Sequence, residues 1–214
     1  MMARRLIFCS NIVAAPEGDV FFTVSSMRYS FRDWRKDFGE NLPTGRVYRR
    51  TADGTLTRLM DGLRFANGLA RTRDGKSLIV AETGGRRLLR LSLAGDRLGT
   101  SEVIAELPGF PDNLAAADGI VWVALASEPN PALEVIHKLP LFLRRLAARL
   151  PESVQPKPSR VAWVAGYDKS GACVHDFKWT DGGFATVTGV CRVGRSIWCG
   201  GLHERALMRF DLPG

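Results

Sequence analysis

Five polar side chains in this sequence sit where oxygen chemistry would be useful. Asp112 and Asn113 stand together at the head of GFPDNLAAADGIVWVAL, immediately before an apolar run. Asn67 opens a similar run in RFANGLARTRDGKSLIVAET, and Ser10 with Asn11 does so in FCSNIVAAPEGDVFFTVSS. A carboxylate, amide carbonyls and a hydroxyl are hard oxygen donors. Asn67 also has a purely local reading: an Asn before Gly68 caps a turn by bonding nearby backbone. Which reading holds depends on whether the scaffold brings these openings to a common place.

The scaffold is repetitive. The three segments above and VTGVCRVGRSIWCGGL, from Val187, share one plan. A short apolar strand leads to a glycine turn (Glu17-Gly18, Asp74-Gly75, Asp118-Gly119, Gly194-Arg195) and then to a second strand rich in Val, Ile, Phe or Trp. The fourth segment keeps this outline without the polar opening. A third strand follows each pair and begins with Arg or follows Gly-Arg: GRVYRRT, RRLLRLSL, RVAWVAGYD and RALMRFDL. In the first three repeats a fourth strand comes next: TLTRLMDGL, TSEVIAEL and ACVHDFKW. Four strands per repeat is the pattern of β-propeller blades. A large antiparallel sandwich or barrel is the competing all-β reading, but sandwiches lack a recurring inner-strand opening.

The sequence therefore predicts an all-β chain, one β-propeller domain over 1–214 with blades at 8–63, 64–108, 109–184 and 185–214. Openings at Asn11, Asn67 and Asn113 are 56 and 46 residues apart, plausible blade lengths. The last blade stops after its third strand, and only four blades fit, so the expectation is the C-terminal part of a larger propeller. Raw sheet edges would then invite self-association. Within the third repeat, ALEVIHKLPLFLRRLAARLPESV breaks the strand pattern and predicts two short helices interrupted at Pro140, an insertion over 132–150. It is expected to pack as a lid. Its basic face (Lys138, Arg144, Arg145, Arg149) alternatively suits peripheral contact with a membrane surface.

Composition narrows the partners. At 214 residues and 45% hydrophobic content the chain can bury one sizeable core. No run approaches the ~20 apolar residues of a membrane span. The net charge of +8 is dispersed in pairs such as Arg4-Arg5, Arg49-Arg50, Arg86-Arg87 and Arg144-Arg145, and no nucleic-acid motif accompanies it. A solvated basic surface follows, with no nucleic-acid partner. Cys9, Cys173, Cys191 and Cys199 lack zinc-type spacing and read as reduced, buried thiols. The start MMARRLIFCSN has too short an apolar stretch for a secretory signal, so the expected location is cytoplasmic. His137, His175 and His203 read as surface or structural. Glu82 is expected to pair with Arg86 or Arg87, and Trp122, Trp163 and Trp198 to fill the core between blades.

Two longer stretches carry a resemblance. RFANGLARTRDGKSLIVAETGGRRLLRLSL and LPGFPDNLAAADGIVWVALASEPNP resemble the strictosidine synthase-like and adipocyte plasma membrane-associated protein-like family. That family lies within the six-bladed calcium-dependent propellers that include gluconolactonases, the senescence marker protein, paraoxonases and diisopropyl fluorophosphatase. VFFTVSSMRYSFRDWRKDFGENLPTGRVYRR is similar to the family's third blade, and SIWCGGLHERALMRFDL to its sixth. The resemblance implies a central channel onto which the innermost strands open, with Ca²⁺ as cofactor. It implies that Asn67 and Asp112 are metal ligands, with Asn113 alongside. Ser10 falls where relatives place a ligand Asn, and either it or its neighbour Asn11 would be a weaker substitute. The family's first-blade Glu ligand has no counterpart in these residues, so binding would be weak.

The implied activity is calcium-dependent hydrolysis of the lactonase or arylesterase type, on a small ester or lactone. Asp112 would activate water or act as nucleophile. For strictosidine synthase chemistry itself, a catalytic Glu is expected at about Thr188, with Gly189 beside it. Neither transfers a proton as a carboxylate does, which argues against that reaction. Two other readings stay open: a non-catalytic propeller that binds a ligand or partner, and a fragment with no stable fold of its own.

Overall fold

The computed structural model describes residues 6–151 and 153–213. The Arg4-Arg5 pair lies outside the described residues. Four antiparallel sheets follow one another along the chain, each with its strands in sequence order. The first holds β1 (Phe8–Ala14), β2 (Val20–Ser26), β3 (Gly45–Arg50) and β4 (Leu56–Leu63). The second holds β5 (Ala66–Arg71), β6 (Ser77–Glu82), β7 (Arg87–Ser92) and β8 (Ser101–Glu106). The third holds β9 (Phe110–Ala117), β10 (Ile120–Ser127), β11 (Ala162–Tyr167) and β12 (Cys173–Trp179). The last has three strands, β13 (Val187–Val193), β14 (Ser196–Gly201) and β15 (Met208–Asp211). These are propeller blades, three of four strands and one of three.

Turn chemistry explains the inner hairpins. At Asp118-Gly119 both residues have positive φ, 50° and 78°. Two consecutive left-handed residues make the turn whose twist matches the strands it joins, and Asp-Gly is a preferred pair for it. In the third sheet the middle strands are nearly continuously buried, as strands are when both faces are covered.

The chain divides into two compact units, one of Met1–Asn67 with Asn130–Lys157 and one of Gly68–Pro129 with Pro158–Gly214. In the second unit one core joins Ile79, Leu88, Val123, Leu125 and Trp163, and another joins Trp122, Val164, Val187, Ile197 and Cys199. Burying each large apolar side chain contributes roughly 1.5–3 kcal/mol. Trp198 departs from expectation. It is 37% exposed in β14 and lies under the Arg209 guanidinium, while its neighbours Ile197 and Cys199 take the buried face. The cysteines also differ. All four are free thiols, as reduced chemistry requires, yet only Cys199 is buried. Burial pushes its thiol up to about 12. Glu82 pairs with Arg87 across β6 and β7.

In the first unit Phe8, Phe31, Phe38 and Phe65 meet edge to face, at centroid distances of 5.4 to 5.9 Å, and Val24, Val47 and Leu63 are buried. The unit also contains a helix absent from the sequence expectation, α1 (Trp34–Glu40). Ser26 Oγ donates to the buried Asp37 carboxylate and so ties α1 to β2. Burial, with the Glu40 charge adding, raises Asp37 to about 6. The insertion forms α2 (Pro131–Lys138) and α3 (Leu141–Ala147), separated at Pro140. Asn130 caps α2 by accepting from the Ala132 and Leu133 backbone N–H groups.

Both helices of the insertion dock on α1. His137 Nε2 donates to Phe38 O (2.9 Å), because a carbonyl can only accept. His137 Nδ1 therefore accepts from Asn41 Nδ2 (3.3 Å). Burial keeps this imidazole below its ordinary pKa and neutral, as both bonds need. Arg144 Nη1 donates to Glu40 O (2.6 Å), capping the C-terminal end of α1.

Candidate functional site

The innermost strands β1 and β9 share an irregularity at the residues singled out above. In β9, Pro111 pairs with Leu125 and Leu114 with Val123, so Asp112 and Asn113 together oppose the single residue Ala124. In β1, Cys9 pairs with Val24 and Ile12 with Phe22, so Ser10 and Asn11 together oppose Thr23. A second shift repeats one step earlier: Ser25 is skipped between Val24 and Ser26 in β2, and Ala126 between Leu125 and Ser127 in β10. By register, Ser10 is thus the equivalent of Asp112, and Asn11 of Asn113. A regular strand sends consecutive side chains to opposite faces; a bulge bends the strand and re-aims them. In β13 the register also slips by one residue at Thr188, between the Val187–Gly201 and Gly189–Gly200 pairs.

Within the first unit, Ser10, Asn11 and Asn67 come together around one threonine. Ser10 Oγ donates to Asn67 Oδ1 (3.0 Å). The Asn11 backbone N–H, released from the ladder by the bulge, donates to Thr23 Oγ1 (3.0 Å), and that hydroxyl donates onward to Asn67 O (2.6 Å). Ser25 Oγ does the same for Ala66 O (2.7 Å). Asn67 is 4% exposed. It is a strand residue of β5, and the residue two before it, Phe65, holds the left-handed backbone at φ 60°. Such a conformation costs of order 1–3 kcal/mol in a non-glycine residue and persists only where the surroundings enforce it. Thr186 stands in the same relation to Thr188, with φ 53°.

Within the second unit, Asp112 and Asn113 are half-buried at the start of β9. Asn113 Nδ2 donates to Thr188 O (2.6 Å), which fixes the amide rotation and directs Oδ1 away from that carbonyl. Thr83 Oγ1 donates to Pro111 O (2.6 Å), just as Thr23 and Ser25 serve the carbonyls at the start of β5. Gly68 is obligatory here. A Cβ on it would lie 2.4 Å from Asp112 O and 2.7 Å from Leu114 N. Only a residue without a side chain allows the backbone of β5 to approach β9 so closely.

The donor set can be judged against a cation by its chemistry. Among the described residues no cluster of three or more His, Cys, Asp or Glu side chains is assembled, so a soft or imidazole-rich site is absent from them. The second unit offers the Asp112 carboxylate and the Asn113 amide oxygen, and the first offers the Asn67 amide and the Ser10 hydroxyl, all of them hard donors of the kind Ca²⁺ accepts. One negative charge makes them a weak set. His137 and His175 have structural roles: His137 docks α2, and His175 stacks on Trp122 at 5.0 Å. Thr23 in β2 and Thr83 in the turn after β6 act through their hydroxyls and Thr188 through its backbone carbonyl, and none of the three carries a signal that sequence reading could isolate.

Comparison with known proteins adds the following. Residues 11–96 match the family model described as strictosidine synthase. The chain is 34% identical over 183 residues to the adipocyte plasma membrane-associated protein of Salmo salar, covering 81% of this chain and 44% of that protein. It spans about half the length of the curated relatives it matches. A solved gluconolactonase from Xanthomonas campestris superposes with a TM-score of 0.63 at 19% identity, over 98% of this chain and 59% of that one. A calcium-binding protein, regucalcin, from Agrobacterium tumefaciens gives 0.58 at 15% identity, over 92% and 54%. At these identities the likeness to the solved structures is one of fold.

Proposed function

Because the chain belongs to the strictosidine synthase-like family of β-propellers, we propose that it carries part of the active site of a calcium-dependent hydrolase of the lactonase or arylesterase type. The observation that carries this reading is the bulge at Asp112-Asn113, which gives one strand position a carboxylate and an amide whose nitrogen is already engaged by Thr188. Bulges of this kind recur beside active sites. The fold shared with a gluconolactonase and with the calcium-binding regucalcin supports the same reading.

Asp112 and Asn113 are the proposed principal ligands, with Asn67, Ser10 and Asn11 as further oxygen donors. Bound there, Ca²⁺ would supply Lewis acidity toward the carbonyl oxygen of an ester or lactone. The chain's own part is positional and protonic. Asn113 holds its orientation through Thr188, and Thr23 fixes Asn67 and Asn11 together. Asp112 takes a proton from the attacking water as its oxygen bonds the carbonyl carbon. It returns that proton to the departing oxygen when the C–O bond breaks. Thr188 offers no carboxylate, so amine–aldehyde condensation lacks its acid–base group.

The test is hydrolysis of phenyl acetate and of simple lactones by the purified chain, with Ca²⁺ and with chelator. Activity should vanish with chelator and return with Ca²⁺, and Asp112→Asn should lower it by about a hundredfold. Turnover indifferent to both changes would refute the assignment. A calcium-induced rise in melting temperature with no turnover would instead point to a binding propeller.

A further inference from the structure

The helical insertion has an outer face that nothing among the described residues covers. Among the described residues sixteen large apolar side chains are exposed, and five of them fall within 131–157: Val135, Phe142, Leu146, Leu150 and Val154. Phe142 and Leu146 are the most exposed of these within α3, at 69% and 63%, and lie one turn apart on one side of it. The opposite side is committed. Arg144 caps α1, Arg145 faces the Glu40 carboxylate at 3.7 Å, and a Cβ on Gly39 would meet the Ala148 methyl at 3.1 Å. His137 anchors α2 in the same way. The helices cannot roll to bury their apolar face without breaking these contacts, so Phe142 and Leu146 are held outward.

Charge identifies the occupant. Residues 131–157 contain five Lys or Arg against two Glu, a net +3. With Arg144 and Arg145 turned inward, Lys138, Arg149 and Lys157 remain exposed beside the apolar side chains. A second copy of this chain would bring the same cations against them, on a protein already at +8. An anionic lipid surface satisfies both features at once: acyl chains receive the apolar groups and phosphates receive the cations. No described helix is long and apolar enough to cross a membrane, so the contact is interfacial. We propose that segment 131–157 docks the protein on anionic phospholipid, with Phe142 and Leu146 entering the headgroup–acyl boundary and Lys138, Arg149 and Lys157 meeting phosphates.

The experiment is cosedimentation of the full chain with phosphatidylcholine vesicles made with and without phosphatidylserine. Binding should require phosphatidylserine and weaken as salt rises. The double variant Phe142→Ser, Leu146→Ser should lose at least about tenfold in partition. Lys138→Glu and Arg149→Glu should each lose about fivefold or more, on phosphatidylserine vesicles only. All four positions are solvent-exposed, and far-UV circular dichroism checks that the variants stay folded. Phe142→Trp gives a second readout, a blue-shifted emission when vesicles are added. Failure of the parent chain to bind phosphatidylserine vesicles overturns the proposal, as does binding that the double serine variant leaves unchanged. Self-association lost in that variant, without vesicle binding, overturns it in favour of a dimer face. None of these outcomes bears on the hydrolase reading.

Discussion

The openings of β1 and β9 are built on one frame and furnished differently. Both place two residues opposite one, both skip a residue of the partner strand one step earlier, and both begin at a buried phenylalanine, Phe8 or Phe110. On that frame β9 carries Asp112-Asn113 and β1 carries Ser10-Asn11. Their supports differ too. The residue facing the β1 bulge is Thr23, whose hydroxyl takes up the Asn11 N–H; facing the β9 bulge is Ala124, which cannot, and there the amide of Asn113 reaches Thr188 instead. The backbone device is therefore independent of the chemistry mounted on it. A single side chain, Asp against Ser, decides whether an opening carries charge.

The comparison breaks most directly at Asp112. Asp112→Ser makes the β9 opening a copy of the β1 opening and removes the only carboxylate in the proposed ligand set. The expected result is at least about a hundredfold loss of esterase or lactonase turnover, together with loss of calcium-induced thermal stabilisation. The fold should be kept, because Ser already occupies the equivalent bulge. Gly68→Ala attacks the frame rather than the chemistry. Its Cβ would lie within 2.7 Å of the backbone at both Asp112 and Leu114, and main chain yields less readily than a flexible side chain. A loss of about 2–3 kcal/mol in chemical denaturation is expected. A smaller effect belongs to Thr23→Val, which deletes the hydroxyl that serves both the Asn11 N–H and Asn67 O inside the fold. Losing the two hydrogen bonds that this hydroxyl makes should cost about 1–2 kcal/mol. The equivalent position in the third blade is already Ala124, so that blade supplies the natural control.

Much of the frame could be read from sequence because its signals are local. Asp118-Gly119 and its counterparts mark the inner hairpins, the arginine-led third strands recur, and Pro140 divides the insertion. The same arginine-led pattern in RALMRFDL marks the third strand of the last blade, β15. Features that depend on pairing were not visible. A bulge exists only relative to a partner strand, so nothing in SNI or PDN alone announces that two residues will face one. Helix α1 was hidden for a related reason. Seven residues are too few to stand by propensity, and this turn is secured by Asp37 on Ser26 and Arg144 on Glu40, contacts that span 11 and 104 residues of chain. Residue type alone assigns Trp198 to the core, whereas strand alternation between Ile197 and Cys199 sends it outward.

The smallest predicted effect tests the same comparison in the opposite direction. Ser10→Asp would give β1 the carboxylate that β9 already has. Adding charge to a hard-oxygen set tightens Ca²⁺ binding, since affinity follows ligand charge and rigidity. The gain is limited by a neighbour. Ser10 Oγ now donates to Asn67 Oδ1, and a carboxylate in its place can only accept. The Asn67 amide would have to rotate and offer its nitrogen, withdrawing an oxygen from the proposed ligands as the new one arrives. The net improvement in calcium affinity should be no more than about tenfold, measured by isothermal titration. Pairing Ser10→Asp with Asn67→Ser, which can donate to the new carboxylate and still present an oxygen, should recover more of the gain. An unchanged affinity in both variants would mean that the two openings do not serve one ion, and the likeness between β1 and β9 would then be a matter of strand geometry alone.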